Sequence, residues 1–133
     1  MLVITDIAQP KTNSDSALEA VNRTQQTLIL RQEFLSDMFD AFNIEFFSYL
    51  ANRTRGNDGF ITTAETLHGA LTSCRESLAE YRTALESYSN SEGVDVMVCA
   101  PHFHEAREIE EGFNAMSAVV TGSLQSLVDG RAR

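Results

Sequence analysis

A chain of 133 residues, 43% of them apolar, is one domain's worth of sequence with enough hydrophobic material for a single core. Nineteen acidic residues stand against ten basic ones, Lys11 is the only lysine, and the net charge is −9. The clustered positive charge that phosphate backbones and anionic lipid require is missing, so nucleic acid and membrane surfaces are excluded as partners.

Residues 1–13 read as an N-terminal extended arm, its apolar stretch cut by Asp6 and Pro10. It has neither a basic leader nor the length of a secretion signal. Between Pro10 and Gly56 there is no glycine or proline, and Ser16-Ala-Leu-Glu19 has the form of a capping box. A first helix is expected over 16–53, ~57 Å long if unbroken, with Asn43 the weakest point for a break. Its inner stripe is Val21, Leu28, Leu35, Phe39, Phe42, Phe46 and Tyr49. Arg55-Gly-Asn-Asp-Gly59 is a turn.

A second helix is expected over 62–89, opened by Thr62-x-x-Glu65. Its apolar series, Ala64, Leu67, Leu71, Cys74, Leu78, Tyr81, Leu85 and Tyr88, steps by threes and fours throughout. That is the pattern of a narrow seam packed on another helix. Residues 90–100 then read as an extended connection. Val94, Val96 and Val98 alternate as in a short strand, which could pair with Leu2–Ile7 as a β-ribbon. A third helix follows over 101–129, with Pro101 at its first position and Gly130 as its stop. Ala106, Ile109, Phe113, Met116, Val120, Leu124 and Leu127 form its inner face.

The expected fold class is therefore mainly α: a single domain of three long helices with at most one short β-ribbon. Antiparallel neighbours are the simpler expectation. An extended 90–100 connection would span ~36 Å and leave helices two and three free to run parallel.

Catalytic chemistry finds little support. Glu65-Thr-Leu-His68 is similar to the Glu-x-x-His ligand motif of ferritin-like di-metal carboxylate proteins. At about 100° per residue, however, both side chains point mostly away from the seam of their own helix. Only one such motif is present, where a single-chain centre would need two. His102 and His104, two apart on a helix, point ~200° apart and cannot share a metal there. Cys74 falls inside the second seam, where a thiol is inert, and Cys99 has no acyl-transfer signature around it. Two cysteines are also too few for a disulfide scaffold, and no run approaches the roughly 20 apolar residues of a membrane span. The expectation is a cytoplasmic, non-enzymatic protein with no metal and no cofactor. The enzyme alternative would work through Glu65 and His68 with His102 or His104.

The first helix carries more hydrophobic surface than one seam uses. Leu30, Phe34 and Ala41 fall on a second face, with Ile44 at its edge and Phe47 on the opposite flank. Asp37, Asp40 and Glu45 border them. A helix apolar around much of its circumference is buried from more than one side. These residues are the expected partner-binding surface. On the third helix, Ala115, Val119, Gly122 and Ser126 form a small-residue stripe suited to self-association.

In composition the chain resembles small acidic helical regulators: secretion chaperones, immunity proteins, inhibitors and antiactivators of transcription factors. The resemblance implies a regulator that buries an apolar helix face on another protein, as a homodimer or a hetero-complex. The third possibility is a structural subunit of a larger assembly such as a virion or secretion machine.

Overall fold

The computed structural model describes the backbone of residues 13–51 and 58–132, and the side chains of 15–51 and 59–126. Three α-helices follow one another: α1 (Asn13–Ala51), α2 (Asp58–Ser89) and α3 (Val96–Ala132). No strand occurs among the described residues. The central helix is α2, which packs against both others, whereas α1 and α3 scarcely meet.

Cross-helix contacts set the direction of each pair. Phe42 lies against Phe60, and Arg31 bonds Ser73 and Ser77. Arg75 bonds Asn114, and Arg82 bonds Glu110. Numbers rise along one helix as they fall along its neighbour, so both pairs are antiparallel. The parallel alternative for α2 and α3 is thereby overturned.

The core follows a seven-residue repeat on every helix. Val21, Leu28, Leu35 and Phe42 of α1 are buried, as are Cys99, Ala106, Phe113 and Val120 of α3. In α2 the row is Phe60, Leu67, Cys74 and Tyr81. A repeat of seven is slightly shorter than two turns of a straight helix, and it is the signature of left-handed wrapping. Because α2 is covered from two sides, its buried stripe is wider. Ala70, Ser77 and Ala84 flank its row on one side, and Ala64, Leu71, Leu78 and Leu85 on the other.

Those flanks decide how closely the neighbours approach. Ser77 bonds Arg31, so the small-residue flank faces α1. Leu78 lines a crevice with Phe113, so the leucine flank faces α3. Small side chains at one-heptad spacing let α1 settle close against α2, and the leucines hold α3 farther off.

Several expected boundaries are corrected. The first helix does not break at Asn43 but runs on to Ala51. Phe42 and Phe46 on either side of Asn43 both pack on Phe60, at ring-centroid distances of 5.1 and 5.3 Å, and this outweighs the weak helix propensity of asparagine. Neither capping box caps, because a cap residue must stand outside the helix. Ser16 lies inside α1, which has already begun at Asn13, and Thr62 lies inside α2, which begins at Asp58. Thr62 there offers its carbonyl to the Thr66 hydroxyl at 3.0 Å as an ordinary helical residue. Gly130 does not stop α3, which runs through to Ala132.

The largest correction concerns 90–100. Only 90–95 connects the helices, and Val96–Ala100 is already α3. Val94 N–H donates to the Ser91 carbonyl at 3.3 Å, closing a turn whose third residue, Gly93, has φ of +82°. That position requires the positive φ glycine tolerates. Asp95 then caps α3. Its Oδ1 accepts from Met97 N–H at 2.9 Å, and its carbonyl from Val98 N–H at 3.0 Å. Pro101 therefore sits past the first turn, inside the helix. The carbonyl it cannot serve belongs to Met97, which is 72% exposed and open to water. The proposed ribbon loses this half, and residues 2–7 lie outside the described residues.

Candidate interaction face on the first helix

The buried row of α1 dictates what its outer side presents. At 100° per residue, positions two after each row member point away from α2 and those one before it point to the side, both clear of the core stripe. Those positions hold Leu30, Asp37 and Ile44, and Phe34, Ala41 and Ser48. Leu30 is 66% exposed, Phe34 51% and Ile44 66%, with Phe47 at 65% on the adjoining flank. Ala41 is half-buried between them. The expected partner-binding residues thus all lie clear of the buried stripe, with Leu30, Phe34 and Ala41 toward one flank, Ile44 at the back and Phe47 on the other flank.

Its electrostatics are one-sided. Glu33, Asp37 and Asp40 are exposed along it. Arg31, the only cation between Leu30 and Leu50, is turned inward, donating from Nη1 to Ser77 Oγ at 2.6 Å and to the Ser73 carbonyl at 3.1 Å. Glu45 is half-buried and leans across to the first turn of α2. Its Oε2 lies 2.8 Å from where a β-carbon on Gly59 would stand. The positive end of the α2 dipole favours an anion there, and the glycine leaves room for it.

The stripe Ala115, Val119, Gly122 and Ser126 is exposed on the outer side of α3. A β-carbon on Gly122 would meet nothing within 4 Å, so no contact inside the chain calls for glycine there.

The residues of the metal alternative do not come together. Glu65 and His68 lie on the lip of a cleft between α2 and α3, floored by Ile61, Ala64, Leu71, Val120 and Leu124 and about 430 Å³ in volume. Thr121 shares that lip. On the order of 25 Å of helix separates it from His104, at 1.5 Å per residue. His104 Nε2 instead pairs with Glu108 Oε1 at 2.8 Å one turn along α3, and His102 is exposed. Among the described residues, no three of His, Cys, Asp and Glu are grouped to hold a metal ion.

Three features escaped the sequence reading. Val96, Met97 and Val98 are all well exposed, although their alternation suggested a strand. Arg31 reaches across to α2, which a single arginine beside Leu30 and Gln32 does not announce. The Tyr81 hydroxyl is buried with no hydrogen-bond partner among the described residues. Burial, helped by Glu105 and Cys99, pushes that phenol above its usual range. Burial also raises the Cys74 thiol, against the pull of Arg31, so neither its reactivity nor its placement suggests a nucleophile.

Comparison of the chain with known protein families, with characterised proteins and with solved structures finds no match. Among the described residues, no helix is long and apolar enough to cross a membrane.

Proposed function

We propose that this protein is a small acidic regulator, of the inhibitor, antiactivator or chaperone kind, that acts without catalysis by burying the outer face of α1 on a protein partner. One observation carries the reading: Leu30, Phe34, Ile44 and Phe47 are each more than half exposed on the part of the 39-residue α1 that α2 leaves uncovered. Burying a large apolar side chain is favourable by about 1.5–3 kcal/mol. A contiguous set left wet therefore marks an interaction surface rather than chance exposure. A cytoplasmic setting goes with the reading, since Cys74 and Cys99 are both buried and unpaired.

The test is capture from the native host by photo-crosslinking from position 34 or 44. A partner taken by the wild type should be lost with Phe34→Asp, while circular dichroism of the variant stays helical. A variant that loses its helicity would show that Phe34 serves the core instead, and the reading would fall.

A further inference from the structure

We infer that the occupant of α1's outer face is a basic amphipathic helix of a different protein, not a second copy of this chain; the inference rests on the binding role proposed for that face. The shape of the ligand follows from the spacing. Leu30, Phe34, Asp37, Ala41, Ile44 and Ser48 step by four and three residues, so the outer face repeats every seven just as the buried one does. A helix with two opposite seven-residue seams is an inner strand of a helical assembly. Here α2 covers one seam, and a further helix fits the other. Half-buried Ala41, between the far larger Phe34 and Ile44, leaves a recess for a knob from that helix.

The charge of the ligand follows from the rim. From Leu30 to Leu50 every exposed charge on α1 is acidic, and Asp37 stands in the seam itself. A second copy meets this badly. Any two-fold pairing centred on the face, antiparallel or parallel in register, brings the Asp37 and Asp40 side chains of both copies together while water is removed from them. The net charge of −9 on each chain adds to the repulsion. One antiparallel register does place Arg23 opposite Asp37. It centres the pair on Leu30, and it strands Ile44 and Phe47 opposite Ser16 and Asn13, at the polar start of the other helix. Lysines or arginines flanking an apolar seam satisfy Glu33, Asp37 and Asp40 without uncovering any of the large side chains. They also draw the partner in from a distance.

The experiment uses two synthetic helical peptides, each about three heptads long, with the same leucine seam and either Lys or Glu at the flanking positions. Binding to the full-length protein is followed by fluorescence anisotropy, and the protein's own association state by sedimentation. The wild type should bind the Lys peptide at least about tenfold more tightly than the Glu peptide. Phe34→Asp makes the face more acidic yet should weaken Lys-peptide binding about tenfold or more. The double change Asp37→Arg with Asp40→Arg should reverse the preference. If Phe34→Asp does not fold, Leu30→Asp, at a more exposed position, takes its place.

Unchanged or tighter Lys-peptide binding in these seam variants would reduce the effect to general charge attraction and overturn the inference. A wild-type dimer that Phe34→Asp dissolves, with neither peptide bound, would make a second copy the occupant. That result overturns the basic helix and leaves the binding role of the face standing. A monomer that binds neither peptide and crosslinks to nothing through the face would overturn both.

Discussion

The two flanks of α2 solve the same packing problem in opposite ways. Toward α1 it presents Ala70, Ser77 and Ala84, and toward α3 the larger row of Leu71, Leu78 and Leu85. On the small-residue side the backbones come close, and the buried Ser77 hydroxyl receives Arg31 at 2.6 Å. On the leucine side a cleft stays open between the helices, and the Tyr81 hydroxyl, which feels Glu105 and Cys99 of α3, has no hydrogen-bond partner among the described residues. Close approach lets a buried serine take an arginine from the neighbouring helix, whereas across the leucine side the polar contacts are made by long arginines, Arg75 to Asn114 and Arg82 to Glu110.

The comparison can be broken hardest at the aromatic end of the tight pair. Phe42→Ala removes the ring that Phe60 stacks on at 5.1 Å, and it should cost about 3–5 kcal/mol of stability in a urea titration. Enlarging the small flank comes next. Ala84→Leu should cost about 1–3 kcal/mol by forcing α1 outward. The cost should fall steeply for the same change at Ala79, which is exposed at the edge of the open crevice between α2 and α3.

Tyr81→Phe sharpens the contrast with the opposite sign. It deletes a buried hydroxyl that has no partner among the described residues, so stability should hold or rise by up to about 1 kcal/mol. A clear loss would mean that the α3 side satisfies its polar groups as well as the α1 side does.

The smallest effect belongs to the Arg82–Glu110 pair between α2 and α3, 2.7 Å long and half-buried. The hydrogen bond from Arg82, and then its charge, hold the Glu110 carboxyl below its ordinary value of 4.5. A carboxyl lowered in the folded state contributes its full stability above that ordinary value and loses it as pH falls through the lowered one. Glu110→Gln should therefore be slightly less stable than the wild type at neutral pH and equal to it in strong acid. Urea midpoints at the two pH values check this.

Much of this arrangement is legible in the chain because burial on a helix imposes a period. The α2 series from Ala64 to Leu85 is buried at every step, and Ala106, Phe113 and Val120 of α3 lie where their spacing puts them. The outward placement of Leu30, Phe34, Ile44 and Phe47 follows from the same arithmetic. What covers them does not, since that is a property of another molecule. Helix ends were harder. Ser16 and Thr62 each precede a glutamate by three residues, but local hydrogen-bonding patterns cannot outvote a core stripe that continues past them. Val94, Val96 and Val98 alternate like a strand although Asp95 caps a helix in their midst. Ala70, Ser77 and Ala84 are silent in the sequence because small residues carry no hydrophobic signal, and their meaning lies in what they permit a neighbour to do.

The short link between α1 and α2 has a consequence in time. Contacts between helices adjacent in sequence close small loops, and such topologies fold quickly. A chain made from its N-terminus completes α1 and α2 before α3, and their close seam needs nothing from α3. The hairpin can thus assemble as its own cooperative unit, with the looser third helix docking afterwards and leaving first when the molecule opens. Leu30, Phe34, Ile44 and Phe47 belong to that early unit, so the face is presented as soon as α2 has closed on α1, whether or not the last helix has arrived.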